Sequence, residues 1–150
     1  MCISLQPPER AKNLKECRMP RRKPENPQET EALARAQKGI EADADGNHAE
    51  AAKCWKTALD YADLHLPGAD IHFWIRSGYG AALYEIGAYE ESIAISKLAL
   101  DWCAARKSPL PALTLARSYR RLGNHAAAQA HLDHARSLAG DALLEAWERD

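Results

Sequence analysis

The sequence predicts an all-α protein made of three helix-turn-helix hairpins, packed side by side and closed by a C-terminal capping helix. Three observations carry that prediction. Beyond residue 27, apolar residues recur at intervals of three and four, and no stretch shows the alternation of a half-buried strand. One turn is written three times, as GNHAE from Gly46, GAYEE from Gly87 and GNHAA from Gly123. Small residues also keep fixed offsets from those glycines: Ala58, Ala99 and Ala135 twelve after, Ala51, Ser92 and Ala128 five after, and Gly39, Gly80 and Ala116 seven before. Such a pattern describes two antiparallel helices that touch where side chains are small, joined by a glycine able to take positive φ.

The elements follow in order. Residues 1–27 hold Pro7, Pro8, Pro20, Pro24 and Pro27, five of the eight prolines, with seven Lys/Arg against three Glu. A proline-broken polar lead of this kind buries too little apolar surface to offset its ordering entropy, so it reads as a disordered or weakly ordered basic tail. Met19 offers an alternative natural start, and Arg18 to Lys23 form a basic cluster suited to an acidic partner or simply to solvent. The helical domain is expected over 28–150. Its first hairpin, about 30–66, pairs ETEALARAQKGIEADA with AEAAKCWKTALDYADLHL. The second, about 70–106, pairs FWIRSGYGAALYEIG with YEESIAISKLALDWCAA. The third, about 109–139, pairs PALTLARSYRRLG with AAAQAHLDHARSLAG. Pro67 and Pro109 separate the hairpins. DALLEAWERD, 141–150, supplies the cap: Asp141 is placed to N-cap a last helix with Leu143, Leu144 and Trp147 on one side. Trp147 also suits a docking face for a partner or a second copy.

Composition narrows the function classes. A chain of 150 residues that is 46% apolar and 27% charged supports one domain with its own core. No run is long and apolar enough for a membrane span or for the core of a secretory signal, which makes the cytosol the expected address. Cys2, Cys17, Cys54 and Cys103 form no CxxC pair and read as free thiols. No glycine-rich phosphate loop follows a strand, and there is no HExxH, no paired Cys/His spacing and no GxSxG. His131 and His134, with His125, are the nearest thing to a metal set, but no thiolate or well-placed carboxylate completes it. Gly78-Tyr-Gly80 lies inside a helical pattern and reads as a packing pair. The expectation is a protein with no catalytic residues, no metal and no cofactor.

With bulky Trp55 and Leu132 nine residues after their glycines, the small-residue register resembles the tetratricopeptide repeat (TPR) family over about residues 30–140. Arg35, Arg76 and Ala112 stand where that family carries its first aromatic, and the glycines are 41 and 36 residues apart. The resemblance implies a right-handed superhelix whose first helices line a concave, partner-binding groove. The matching positions are Leu33, Ala36, Ile40 and Asp43, then Trp74, Ser77, Ala81 and Tyr84, then Leu110, Leu113, Arg117, Arg120 and Arg121. It implies a protein or peptide partner with an apolar segment and acidic residues, with Trp74 as an exposed anchor. Leu33, Ile40 and Leu113 fit a core role equally well. The Lys and Asn positions of the carboxylate clamp found in some TPR co-chaperones hold Ala36, Ile40, Leu110 and Thr114 here, so that clamp is missing. The size and three-repeat plan are also similar to the TPR chaperones of bacterial type III secretion translocators, which implies a chaperone role and a possible homodimer. A nucleic-acid adaptor is the weaker alternative, because only Tyr119 interleaves with the arginines.

Overall fold

The computed structural model describes residues 26–149, and over them the protein is helical, with no strand. The basic lead up to residue 25, including Arg18 to Lys23, lies outside the described residues. Seven helices follow in order: α1 Pro27–Ala44, α2 His48–His65, α3 Asp70–Glu85, α4 Tyr89–Ala105, α5 Leu110–Arg121, α6 His125–Ala139 and α7 Leu143–Arg149. They pair as α1–α2, α3–α4 and α5–α6, with α7 against the last hairpin.

One reading of the lead is corrected. Pro27 is not part of a broken tail but the first residue of α1, where its missing N–H is no loss and its fixed φ suits the helix. Asn26 completes that start, its side chain accepting from the Glu29 N–H at 2.8 Å.

The repeated turn has a local chemical reason. Gly46, Gly87 and Gly123 take φ of 79°, 82° and 81°, left-handed geometry that glycine adopts without a side-chain clash. Each first helix ends in the same pair of bonds, the glycine N–H to the carbonyl three residues back and the next N–H to the carbonyl five back. In the first hairpin these are Gly46 to Asp43 at 2.9 Å and Asn47 to Ala42 at 2.9 Å. Asn47 and Asn124 then cap the second helices, accepting from Glu50 N–H at 3.3 Å and Ala127 N–H at 3.1 Å. GAYEE has Ala88 in that place, and α4 begins without a side-chain cap. Between the second and third hairpins Lys107 takes φ 59° and performs the glycine's role, with Lys107 N–H to Ala104 and Ser108 N–H to Cys103.

Packing follows the small-residue register. Ala51, Ala58, Ser92, Ala99, Ala116 and Ala135 are fully buried, and Ala128 nearly so. Trp55 is the main filler of the first interface. The five-membered side of its indole lies on Gly39 of α1, where an added Cβ would come within 2.8 Å, and the six-membered ring lies on Gly78 of α3 with even less room. Gly80 admits Ser96 in the same manner one hairpin later. Gly78 and Gly80 are therefore close-approach positions inside α3. Two apolar clusters result: one through the first two hairpins as far as Leu110, the other of Ala112, Leu113, Ala116, Leu132, Ala135 and Leu143.

The C-terminal helix differs from expectation at its start. It opens at Leu143, and the Asp141 carboxylate accepts from Arg136 Nη2 at 3.0 Å instead of capping. Leu143 is fully buried and Trp147 packs against the same cluster, so α7 covers the end of the third hairpin.

Candidate functional site

A cavity of about 460 Å³ opens on the face formed by the first helices of the hairpins. Ile40, Asp43 and Ala44 of α1, Gly78, Ala81, Ala82, Tyr84 and Glu85 of α3, and Leu110, Thr114 and Arg117 of α5 line it, with His48 and Trp55 reaching in from α2. No residue of α4 or α6 contributes. The volume lies within the range of clefts that hold a ligand, about 300–1,000 Å³.

The sequence-predicted groove residues divide sharply. Ile40, Asp43, Ala81, Tyr84, Leu110 and Arg117 do line the cavity. Trp74 is not the exposed anchor expected of it. It is only 6% exposed and meets Trp55 in an edge-on contact at 5.5 Å, because the hairpin rotates this position of α3 toward α2. Ser77 and Ala36 are also buried, Ser77 turning its hydroxyl back to the Trp74 carbonyl at 2.7 Å. Leu113 belongs wholly to the second apolar cluster, and half-buried Leu33 packs on the first. The third-hairpin arginines separate in role. Arg120 stacks on the Trp147 ring at 3.6 Å and donates to its carbonyl at 3.2 Å, which commits it to holding α7. Arg117 and exposed Arg121 lie 6.0 and 5.9 Å from the Tyr84 ring.

The opposite end of the cavity is acidic: Asp43 belongs to the run of Glu41, Asp43, Asp45 and Glu50 that makes the first hairpin acidic in the sequence, and Glu85 of the second hairpin joins it. His48 Nδ1 is 2.8 Å from Asp43 Oδ1, and its Nε2 is 4.0 Å from Glu85 Oε2. His48 stands two residues after its turn glycine, the place that Tyr89 and His125 hold in the other hairpins. Tyr89 meets Tyr84 ring to ring at 5.5 Å, whereas His48 serves the carboxylates and His125, at the same repeat position, is exposed. The C-terminal turns of α1 and α3 contain no basic residue, so the negative end of each helix dipole adds to Asp43 and Glu85. The turn of α5 instead carries Arg120 and Arg121. Aligning the repeats would have exposed this polarity: three residues before the turn glycine stand Asp43, Tyr84 and Arg120, and two before it Ala44, Glu85 and Arg121.

Of the third-hairpin histidines, His131 is taken up in packing. His131 stacks flat on Tyr119, ring centres 5.5 Å apart, and burial, with smaller effects of His134 and Lys97, holds its imidazole below the usual histidine range. Among the described residues no group of His, Cys, Asp and Glu is placed to hold a metal, and no helix is long and apolar enough to cross a membrane. Cys103 is buried and Cys54 partly exposed.

A stack of helical hairpins with this turn, this small-residue register and a cavity on the first-helix face has the fold of a TPR domain. The crystal structure of the TPR domain of Arabidopsis FLU superposes with a TM-score of 0.62, covering 83% of this chain and all of that one at 22% sequence identity. No family model matches the sequence, and no curated protein matches it.

Proposed function

We propose that this protein is a non-enzymatic interaction scaffold that receives a peptide segment of a partner protein in the cavity of its concave face. The observation that carries the reading is the cavity itself. It is bounded by first helices from all three hairpins, and its lining joins apolar Ile40, Ala81 and Leu110 to the charged Asp43, Glu85 and Arg117. An apolar lining with a few placed polar groups suits one inserted side chain and a held backbone. Nucleic-acid binding, the weaker alternative named from the sequence, gains no comparable feature.

Affinity capture from native cells with the full chain, run beside Ala81→Arg, tests the proposal. Ala81 is partly exposed on the cavity wall, so arginine there fills the space without entering the core. A partner retained by the natural protein and lost with Ala81→Arg supports the cavity as the site. Equal retention by both proteins places binding elsewhere, on the convex helices or on α7.

A further inference from the structure

We propose that the first occupant of the cavity is the basic lead of this same chain: the segment from Lys12 to Met19 reaches back over α1 and sets its lysines against Asp43 and Glu85, so that a partner must displace it. That role rests on the reading of the cavity as a peptide site and adds a competitor built into the chain.

Charge draws the two together. Asp43 and Glu85, at the acidic end of the cavity, have side chains 50% and 42% exposed. Asp43 meets His48 Nδ1 at 2.8 Å, while His48 Nε2 stands 4.0 Å from Glu85 Oε2, a loose contact that leaves Glu85 open to a stronger partner. Exposed Glu41 and Asp45 flank Asp43, and the last turns of α1 and α3 hold no basic residue, so the negative ends of both helix dipoles add to these carboxylates. Arg117 of the α5 wall is already engaged within the molecule. An incoming cation is therefore directed to the α1–α3 end, and the lead carries seven Lys/Arg against three Glu.

Tether length decides which of those cations arrives. α1 has 18 residues and is about 27 Å long at about 1.5 Å per residue, and the lead joins it at Asn26, the end away from Asp43. At about 3.3 Å per extended residue, Arg21 to Lys23 stay near the start of α1. Arg18 just spans the helix, and Lys12 to Lys15 reach past Asp43 with slack. Leu14 stands between Lys12 and Lys15, an apolar side chain for Ile40, Ala81 and Leu110 of the lining with a cation on either side for the carboxylates. A tether this short holds the segment at an effective concentration on the order of millimolar, so contacts too weak to retain a free peptide suffice.

Zero-length cross-linking of the full chain with a carbodiimide, which joins an amine to a carboxylate beside it, tests the proposal. An equal mixture of unlabelled and isotope-labelled chains tells links within a chain from links between chains, and the Lys56–Asp60 pair on α2 is the internal standard. The expected products join Lys12 or Lys15 to Asp43 or Glu85 within one chain. Their yield relative to the standard should fall about tenfold at high salt, which screens exposed charges. Ala81→Arg, which fills the cavity, and Glu85→Lys, an exposed change read at Asp43, should each lower it as far. Absence of these links while Lys56–Asp60 forms, or a yield that either substitution leaves unchanged, overturns the proposal. Links found only between labelled and unlabelled chains overturn it too, in favour of a second copy. Absent links with partner capture still lost in Ala81→Arg leave the cavity reading standing without the lead. Unchanged partner capture by Ala81→Arg removes the cavity reading, and with it any need for a partner to displace the lead.

Discussion

The indole of Trp55 leaves no space for a methyl group on the two glycines it rests upon. Gly39 and Gly78 belong to different helices, so one side chain sets how near α1 and α3 approach α2. Trp74 closes the third side of that contact, which is why it is buried in the core and not presented to a partner. Truncating Trp74 would remove a buried aromatic, a loss of about 3–5 kcal/mol, so weaker binding by such a variant would report unfolding. Gly78→Ala isolates the steric effect more cleanly. Alanine gains about 1 kcal/mol of helix propensity over glycine, whereas forcing a carbon against the fixed Trp55 ring costs about 1–3 kcal/mol. The crowding term should win, because the ring is held on its other edge by Gly39. The expected outcome is a lower urea midpoint with an unchanged slope. A raised midpoint would mean that Trp55 has room to move.

At the scale of elements, what the sequence made legible was the chemistry that acts over a few residues. Gly46, Gly87 and Gly123 announced their turns because positive φ selects glycine, and the asparagines after two of them announced the caps. Pro27 misled because proline breaks a helix everywhere except at its start. Lys107 gave no signal at all, since nothing in a lysine foretells left-handed geometry. The seven residues of α7 are too few to be helical alone, so its order depends on what it covers. Leu143 contributes most of that packing, as it is fully buried against the last hairpin, while Trp147 is held from one face by Arg120. Leu143→Ala should therefore cost about 2 kcal/mol or more, seen as a lower melting temperature. An unchanged melting temperature would show that α7 is not a cap.

Across the whole molecule, the partner site was harder to read than the fold because it depends on rotation and on neighbours. Period alone placed Leu113 and Trp74 on the right helices, but their depth follows from how the hairpins turn against one another. The same stacking makes the molecule uneven in strength. Nine residues after each turn glycine stand Trp55, Ser96 and Leu132, so the large filler of the first interface has no equal in the second. Between the second and third hairpins the buried residues include Ser92, Ser96 and Ser118, with Ser118 Oγ donating to Ser92 Oγ at 3.3 Å. On α6 only Ala128, Leu132 and Ala135 are buried, against Ala51, Ala52, Trp55, Ala58, Leu59 and Ala62 on α2. Stacked repeats hold together by their own packing plus the contact with each neighbour, and the thinly buried second helix lowers the first of these for the last hairpin. Native-state hydrogen exchange should then find α5, α6 and α7 opening together below the global unfolding free energy. Their slowest amides should be less protected than those of α3 by on the order of tenfold or more. Low denaturant should not merge the two groups, because the opening exposes one cluster and leaves the Trp55 cluster closed. Uniform protection across all seven helices would mean that the serine-lined contact transmits cooperativity as well as the tryptophan-filled one.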